Sequence, residues 1–523
     1  MNYAFVIRND RCIGCHACST ACKAENAVPV GVHRTWVKTV ETGRYPDVRR
    51  HFQVTRCNHC ERPPCVEICP TRAMYRRPDG IVEFDPDRCI GCKACLQACP
   101  YDAIHIDPAT GTAAKCHFCA HRVEVGLEPP CVVVCPEHAI LAGDLDDPES
   151  EVSRALATHP VTVRRPEQGT RPKLFYVEGA DVALDPRFTD PSPAGYAWSE
   201  APPAGEGPIR IGRGRVAGEL VRSAWDIHHK VPWHWPVPAY LVSKGIGAGV
   251  LLVAALGVLA GLAPATPAVM LTSAITALAM VALTAVFLVL DLERPERFAW
   301  VLLKSHTKSW LVRGAWILTA FGALLTGWCA LEAGVVTGVI DPGQAGTIRP
   351  WLLGAGVPLA VLTAAYTAFL FGQAEGRDLW QSPLLPAHLV LQALGAGAGA
   401  LLVVGGAVAM PEAWGALALL VLGAVVVLDL ALFIPGEFAI SHGTEGAREA
   451  ALAIRRGRWR RHFWGGSIAL GHVVPLLLLG AAWVPGAEGW VPWLGAGAGG
   501  AFLLGLWLHE VAWVEAPQRV RNS

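Results

Sequence analysis

Residues 10–22 read DRCIGCHACSTAC, and residues 87–99 read DRCIGCKACLQAC. Each stretch spaces four cysteines as C-x2-C-x2-C-x3-C, so the chain contains an internal duplication. Two further groups of four cysteines share a different phrase, which runs from Pro-Pro-Cys-Val to a final Cys-Pro at 63–70 and 129–136. The four groups are Cys12, Cys15, Cys18, Cys22; Cys57, Cys60, Cys65, Cys69; Cys89, Cys92, Cys95, Cys99; and Cys116, Cys119, Cys131, Cys135.

This spacing is typical of iron–sulfur ligands. Three thiolates within seven residues can hold three corners of a [4Fe–4S] cubane, and Gly14 and Gly91 permit the tight turns this requires. The fourth cysteine, at the start of a helix, then reaches the other cluster of a pair. Zinc is the alternative, but its sites favour two separated pairs of ligands. The spacing therefore predicts four [4Fe–4S] clusters, with no three-iron variant because no group lacks a cysteine.

Pairing the first group with the fourth, and the second with the third, predicts four crossed ligand sets. They are Cys12, Cys15, Cys18 and Cys135; Cys116, Cys119, Cys131 and Cys22; Cys57, Cys60, Cys65 and Cys99; and Cys89, Cys92, Cys95 and Cys69. Clusters in series conduct electrons, and nothing in these motifs predicts substrate chemistry. Whether the chain is itself an enzyme is therefore left open, with substrate conversion expected on a partner chain.

Composition separates two unlike halves of the 523 residues. Sixteen of the 17 cysteines lie between Cys12 and Cys135, whereas nearly all long apolar runs follow Tyr240. The formal net charge is zero, so nothing indicates nucleic-acid binding. Residues 1–10 have no apolar core and no twin arginine, so we predict no signal peptide and a reducing compartment for the cysteines.

The second half contains eight runs long enough to cross a bilayer as helices, each of about 20 apolar residues. They are 240–262, 268–290, 310–331, 353–373, 385–409, 413–434, 464–483 and 491–511. Glycine and alanine are abundant in them, as close helix packing in lipid favours. The sequence predicts an α+β double ferredoxin-like iron–sulfur domain followed by an all-α eight-helix transmembrane bundle.

The charges between these runs predict the orientation. Eight spans place both chain ends on one side, and in the segments that connect and follow the spans that side carries thirteen lysines and arginines, whereas the other side carries only Arg349. By the positive-inside rule, the iron–sulfur domain faces the cytoplasm and the protein is a multi-pass protein of the inner membrane, surrounded by lipid.

The two halves are joined by a stretch rich in Pro, Gly and Ala. We divide the chain into a cluster domain at 1–180, a connector at 181–235 and a membrane domain at 236–523. Within the connector, residues 179–218 favour irregular structure, and the spacing of apolar residues over 216–230 predicts a short interfacial helix. Trp233 and Trp235 would follow it at the bilayer surface.

The first 180 residues resemble the four-cluster subunits of the molybdopterin oxidoreductases, such as dimethyl sulfoxide reductase, polysulfide reductase and formate dehydrogenase. The resemblance covers all sixteen cysteines and the strand at 173–176. It implies that electrons run between a separate molybdenum or tungsten bis-pterin subunit and a membrane anchor.

Residues 230–510 are similar to the NrfD-type anchors, the family of the polysulfide reductase membrane subunit. The matching phrases are 233–249, 291–298, 313–316 and 366–380. The resemblance implies a haem-free site for menaquinone or ubiquinone near the cluster side, although several relatives export their catalytic face. The candidate quinone residues are His234, Tyr240, Asp291, Glu293, Arg294 and Tyr366. Belt tyrosines and an ion pair that ends a helix are the structural alternatives for them.

Other polar residues in the spans are candidates too, because ionisable groups are costly at membrane depth. Asp429 and His472 could relay protons, or could bond each other and hold helices together. We expect His388, His442 and His509 to be interfacial, because they lie near helix ends. Cys329 is expected to be a small packing residue.

The sequence thus predicts the electron-transfer and anchor subunit of a quinone-linked molybdenum or tungsten oxidoreductase. Cytoplasmic facing suits oxidation of a substrate that feeds the quinone pool. The alternatives are a quinol-oxidising terminal reductase, an ion-translocating redox module, and a passive anchor without quinone.

Overall fold

The computed structural model describes residues 1–43, 46–189, 221–227, 229–408, 410–440 and 442–523. The chain divides into two compact units. The first comprises Met1–Lys230 with Ala374–Gly376 and Arg521–Ser523, and the second comprises Val231–Gln373 and Arg377–Val520.

The first unit is built from small sheets. Its strands, numbered in chain order over the described residues, are β1 Tyr3–Arg8, β2 Thr35–Thr42, β3 Arg49–Arg56, β4 Met74–Arg76, β5 Val82–Phe84, β6 Ile104–Asp107, β7 Thr112–Lys115, β8 Ile140–Asp144, β9 Val161–Thr162, β10 Leu174–Val177 and β11 Val221–Trp225. They form a four-stranded sheet in the order β8-β1-β10-β9, a three-stranded sheet in the order β11-β2-β3, and the hairpins β4-β5 and β6-β7. The predicted α+β class is confirmed.

Strand β1 lies in the middle of the largest sheet. Ala4–Ile7 are buried on both faces, which explains why this strand reads as a continuous apolar run rather than an alternating one. It pairs parallel to β10, with Val6 opposite Phe175, and antiparallel to β8. The start of the cluster region is thereby fixed to its end.

The sequence duplication is repeated in the backbone. Gly14 and Gly91 have left-handed φ values of 67° and 70°, and the residues before the two following helices, His16 and Lys93, have φ values of 61° and 62°. The tight turns expected from the glycines are confirmed. The short helices of this unit are Ala17–Glu25, Pro64–Glu67, Ala94–Ala98, Ala120–Val123, Pro130–Val133, Glu151–Thr158 and Asp181–Leu184.

The connector differs from its prediction in one respect. Val221–Trp225 is strand β11, which pairs antiparallel with β2 with Val221 opposite Thr42, so no interfacial helix forms there. Pairing with β2 satisfies the backbone hydrogen-bonding groups of this segment at the sheet edge. The spacing of apolar residues does not reveal such a partner. Residues 190–220, which hold the proline-rich part of the connector and the start of the predicted helix, lie outside the described residues.

The second unit is a helical bundle. Among the described residues, eight of its helices are long and apolar enough to cross a membrane, which confirms the predicted number. Spans 1 to 8 are Pro236–Leu259, Pro267–Leu290, Trp310–Val336, Pro342–Gln373, Leu385–Gly406, Glu412–Phe438, His462–Ala481 and Glu488–Gln518. Short helices connect them at Trp300–Leu303 and Glu445–Arg455, and 3-10 turns lie at Pro295–Arg297 and Asp378–Gln381.

Span 1 is the centre of the bundle, and glycines let span 5 approach it. A Cβ atom placed on Gly249 would lie 1.7 Å from the carbonyl oxygen of Ala393, and one on Gly397 would lie 2.1 Å from the backbone carbon of Gly249. No side chain fits at either position. The contact is therefore backbone against backbone, as small residues permit in membrane helices.

Spans 3 and 4 are joined by a buried ion pair. Arg349 forms two contacts with Glu332, from Nε to Oε1 at 2.7 Å and from the guanidinium to Oε2 at 2.8 Å. Trp328 Nε1 also donates to Glu332 Oε1 at 3.2 Å. Arg349 thus lies within span 4, not outside the spans as the apolar run suggested, and it is the partner of a carboxylate inside the bundle.

Spans 6 and 7 contain π-helical turns at Asp429–Phe433 and His462–Val473. Such turns are rare and commonly occur at functional sites. They contain Asp429, Ser467 and His472, which form part of a buried polar cluster.

Candidate functional site

One cavity of the first unit is lined by Cys12, Cys15, Cys18 and Cys135. The first three cysteines come from the turn before the helix Ala17–Glu25 and from its first residues, whereas Cys135 comes from the loop before β8. The backbone N–H of Ala139 donates to Cys135 Sγ at 3.2 Å. Cys15 is exposed and Cys12 and Cys135 are half-buried, so this set is partly open to solvent.

A second cavity is lined by Cys69, Cys89, Cys92 and Cys95. Backbone N–H groups point at its sulfur atoms: Met74 donates to Cys69 Sγ, and Gly91 and Ala113 both donate to Cys89 Sγ, each at 3.4 Å. Hydrogen bonds to sulfur are one of the means by which a protein sets the potential of an iron–sulfur centre.

The remaining eight cysteines form two buried groups. Cys22 lies beside Cys119 and Cys131, and Asn26 Nδ2 is 3.7 Å from both Cys22 Sγ and Cys119 Sγ. Cys116 completes this group. The other group contains Cys57, Cys60, Cys65 and Cys99. In this way the structure brings the sixteen cysteines together in four sets of four.

Burial raises the pKa of several of these thiols. The pKa of Cys22 and that of Cys99 rise to about 12, and that of Cys18 rises to about 11; for Cys22 the neighbouring Cys131 and Cys119 add to the effect of burial. Four thiolates in such surroundings need positive charge beside them, which the iron ions of a cluster supply. The donor sets therefore fit [4Fe–4S] clusters.

Arg56, at the end of β3, is a further residue of these centres that the sequence did not single out. Its side chain is fully buried, and its Nη1 donates to Cys131 Sγ at 3.1 Å. The guanidinium lies 4.6 Å from the ring centroid of Phe5. Among the described residues, Nε and Nη2 have no hydrogen-bond partner. A buried cation with free donors beside clustered thiols is suited to an anionic cluster.

In the second unit, two of the six candidate quinone residues come together. Tyr240 of span 1 and Tyr366 of span 4 are both buried, and both interact with the side chain of Thr367. Lys244 lies over the Tyr366 ring, 4.6 Å from its centroid, and its Nζ donates to Thr367 Oγ1 at 2.5 Å. The lysine was missed, although a charge inside an apolar span was signal enough.

Lys244 also lines a small cavity next to this group. The other lining residues are mostly apolar, with two polar side chains, and are Leu241, Val242, Gly245, Ala364, Leu389, Gln392, Ala393, Leu506 and Glu510. An apolar cavity with a few polar groups is the usual character of a site for a small organic ligand.

The other four candidates are less buried than these two tyrosines, and one of them, Asp291, interacts electrostatically with Tyr240. His234 and Glu293 are exposed, and Asp291 and Arg294 are half-buried. Arg294 pairs with Glu296 at 3.2 Å. Exposure does not favour His234 or Glu293 as partners of a buried carbonyl group.

The buried histidines of spans 5 and 8 differ from expectation. His388 and His509 were expected at the interface, but only 1% and 5% of their surfaces are exposed. His388 contacts the carboxylate of Glu437, and His509 contacts the hydroxyl of Ser467. These partners are more than 40 positions away in sequence, so sequence position alone did not reveal them. Asp429 and His472 bond each other at 3.0 Å, which was one of the two alternatives for this pair. Cys329 packs against the apolar core, in keeping with its expected role.

Comparison with known families agrees with this architecture. A 4Fe–4S dicluster domain matches residues 11–74, and another matches residues 48–145. The polysulphide reductase, NrfD family matches residues 226–510.

Individual relatives match the cluster region. A tetrathionate reductase subunit of Salmonella typhimurium is 43% identical over 202 residues, which are 38% of this chain and 80% of the relative. One of the polysulfide reductase polypeptides of Wolinella succinogenes is 43% identical over 178 residues, 34% of this chain and 93% of the relative. The arsenate respiratory reductase iron–sulfur subunit ArrB of Shewanella sp. is 35% identical over 230 residues, 35% of this chain and 98% of the relative.

These relatives account for the first unit and the family match for the second, so the chain is a fusion of the two. Because the NrfD match covers more than half of the 523 residues, the protein belongs to the polysulphide reductase, NrfD family and carries an iron–sulfur electron-transfer region with 4Fe–4S dicluster domains at its N-terminus.

Proposed function

We propose that this chain is the electron-transfer and membrane-anchor subunit of a quinone-linked molybdenum or tungsten oxidoreductase complex. Four sets of four clustered, mostly buried thiols support this proposal above all, because they fit four one-electron centres in a single domain. The relatives named as reductase subunits support a separate catalytic partner, on which the substrate is converted.

In this proposal the four clusters have the crossed ligand sets that the spacing predicts. When bound, each [4Fe–4S] cluster supplies a one-electron carrier. The thiolates hold it, and backbone N–H groups such as that of Ala139 bond their sulfur atoms.

Cysteine substitutions test the crossed sets. Cys12→Ser and Cys135→Ser are expected to alter the same centre in electron paramagnetic resonance spectra, although 123 positions separate them. Cys329→Ser is the matched control and should leave about sixteen iron atoms per chain, as four cubanes require. Different centres altered by Cys12→Ser and Cys135→Ser would refute the pairing.

We place the quinone head group near Tyr366, Tyr240 and Lys244. A tyrosine hydroxyl can donate to a quinone carbonyl, the ammonium of Lys244 brings positive charge beside it, and the adjacent cavity is mostly apolar. Tyr366→Phe removes one hydroxyl and little volume, so quinone-linked turnover should fall at least about tenfold, or roughly 1.4 kcal/mol. The clusters should remain reducible by dithionite. Tyr75→Phe, on the protein surface, is the control, and equal turnover in the two variants would move the site elsewhere.

The asymmetry of charge supports an inner-membrane protein whose cluster domain faces the cytoplasm. Reporter fusions test this orientation. An export-dependent reporter should be silent when fused after Arg458 and active when fused after Pro485. The reverse pattern would overturn the orientation.

A quinol-oxidising reductase is the second candidate, because the relatives are named as reductases. The two functions differ in the direction of electron flow, and therefore in whether quinol or the catalytic partner reduces the clusters. Rapid reduction of the purified complex by a quinol would favour the reductase, whereas oxidation of the reduced clusters by a quinone favours delivery to the pool.

A further inference from the structure

Four side chains of spans 5, 6 and 7 form a chain of contacts, here called the histidine–carboxylate chain: Glu437, His388, Asp429 and His472. Glu437 Oε2 lies 3.0 Å from His388 Nδ1, and Asp429 Oδ1 lies 2.9 Å from His388 Nε2. Asp429 Oδ2 lies 3.0 Å from His472 Nε2. All four residues are at most 5% exposed, so no solvent disperses their charge.

His472 fixes one end of this chain. Its Nδ1 is 2.6 Å from the carbonyl oxygen of Ser467, and a carbonyl oxygen only accepts, so Nδ1 carries a hydrogen. The contact between Nε2 and Asp429 needs a further hydrogen, on either the ring or the carboxyl group. The pair therefore always shares at least one mobile proton.

His388 has a partner in each of its protonation states. As an imidazolium it donates from Nδ1 to Glu437 and presents Nε2–H to Asp429 Oδ1. As a neutral ring its Nε2 can accept from Gln392 Nε2, which lies 3.2 Å away. Both ring nitrogens of His388 therefore have a partner whether the ring is protonated or neutral, so the ring can gain and lose a proton.

Glu437 and Asp429 each have a carboxylate oxygen that is available to take part in proton exchange. Among the residues that the structure describes, Glu437 Oε1 has no hydrogen-bond partner, Asp429 Oδ1 has only its charge contact with His388, and neither residue pairs with a lysine or arginine. Buried carboxylates without a fixed cation must be neutralised by protons or by a bound ion. The ion pair of Arg349 and Glu332 is different, because both carboxylate oxygens of Glu332 accept hydrogen bonds from a fixed cation.

Other ionisable groups surround His388. They come from spans 6, 7, 8 and 1, and are Asp429, Glu437, His472, His509, Glu510 and, through Glu510, Lys244. His509 is a side branch, because its Nδ1 contacts Ser467 Oγ at 3.1 Å.

His388 links the histidine–carboxylate chain to two sides of the membrane unit. On one side is Glu437, the second-last residue of span 6, at the end that leads to the arginine-rich connection before span 7. On the other side is Gln392, which both contacts His388 and lines the cavity that also contains Lys244 and Glu510. One route from His388 thus leads to the predicted cytoplasmic side and the other to the cavity beside Tyr366.

We propose that the histidine–carboxylate chain transfers protons between the arginine-rich side of the membrane and quinone in the Lys244 cavity, with His388 as the exchanging group. The inference rests on the proposed quinone function. Reduction of one quinone to quinol consumes two electrons, which the clusters supply one at a time, and two protons. His388 releases one proton for each electron and regains it from the Glu437 end. Quinol oxidation reverses each transfer.

Single-turnover kinetics test the proposal. The full chain is reduced with dithionite, freed of excess reductant, and mixed with a short-tailed naphthoquinone or benzoquinone. His388→Gln keeps hydrogen-bonding groups but cannot carry a proton, so cluster oxidation should slow about a hundredfold, as lost proton transfer typically does. The dissociation constant of the quinone should change less than about twofold, and the solvent deuterium effect should increase. Asp429→Asn should also slow cluster oxidation, because it removes the carboxylate that stabilises the protonated form of His388 at Nε2.

His509→Gln is the matched control, because it removes an equally buried imidazole outside the chain and should react within about threefold of the unaltered protein. Unaltered rates and isotope effects in His388→Gln and Asp429→Asn would overturn the proposal, while quinone reduction by the unaltered protein would still support the proposed function. No quinone reduction at all would instead refute the proposed function.

A metal ion is the competing occupant, because His388, Glu437 and His509 place one ligand atom each within 4.8 Å of one another. One zinc ion per chain, lost in both His388→Gln and His509→Gln, would replace the proton chain by a metal site. If the variants do not assemble, infrared difference spectra of the unaltered protein decide. A carboxyl band that changes on quinone reduction supports proton exchange, and its absence contradicts it.

Discussion

Removing the buried charge of Arg56 is expected to lower the potential of the centre that contains Cys131. The guanidinium donates to Cys131 Sγ at 3.1 Å, so it stabilises the more negative, reduced form of a cluster held there. Taking the charge centres as about 6 Å apart and an effective dielectric constant of about 20, the interaction is about 2.8 kcal/mol. For one electron this corresponds to a downward shift of about 120 mV when the charge is lost.

Arg56→Met keeps most of the volume and removes the charge, and the measurement is a redox titration of the purified protein followed by electron paramagnetic resonance. Arg50→Met is the matched control. Arg50 lies on the same strand about 20 Å away, and its side chain is 65% exposed, so solvent and salt screen its charge. The iron content should be unchanged in both variants. A shift smaller than about 30 mV in Arg56→Met, or an upward one, would refute the electrostatic role.

Three further predictions concern stability. Gly249→Ala should destabilise the membrane unit by about 3 kcal/mol or more, because the added Cβ would lie 1.7 Å from the Ala393 carbonyl oxygen. Gly322→Ala is the control, because no atom lies within 4 Å of its Cβ position, and it should be neutral. Thermal melts in detergent measure both. Arg349→Met should lower the free energy of unfolding by about 3–5 kcal/mol, because it leaves Glu332 buried and unpaired. Adding Glu332→Gln to this variant should recover most of the lost stability. If it recovers none, packing and not charge dominates the loss. Burial, with a smaller contribution from Arg34, lowers the pKa of His105 to about 4, so the unfolded chain binds a proton between about pH 6.5 and 4 that the folded chain does not. Stability should therefore fall by up to about 1.4 kcal/mol per pH unit in that range, and His105→Gln should lose part of the difference between melts at about pH 7.5 and about pH 5.

Local chemistry explains what the sequence could predict. The ligands of one cluster motif lie close together in sequence, and their spacing requires tight turns between them. The sixteen cysteines and the roles of Gly14 and Gly91 could therefore be predicted from the motif. A bilayer sets a minimum length for an apolar helix, so the eight spans followed from hydropathy. The ends of the spans did not follow from hydropathy. Span 4 begins at Pro342, 11 residues before the predicted start, because polar residues can continue a helix beyond the apolar run.

Partners distant in sequence explain what it could not predict. Val221 and Trp225 have a spacing that fits a helix, but the edge of β2 accepts them as a strand. His388 looked interfacial from its place near a helix end, and only the fold brings Glu437 and Asp429 to its two nitrogens. The candidate quinone residues divide in the same way, since depth rather than sequence position separates Tyr366 from His234.

The distribution of cysteines over the two cavities has a consequence for biogenesis. The cavity lined by Cys69, Cys89, Cys92 and Cys95 is complete once residue 113 has been synthesised, whereas the cavity of Cys12 waits for Cys135. The first motif to leave the ribosome therefore belongs to one of the last sites to close, and its thiols remain unprotected for most of the domain's translation. During translation we therefore expect the interior cavity to become competent to hold a cluster before the terminal one.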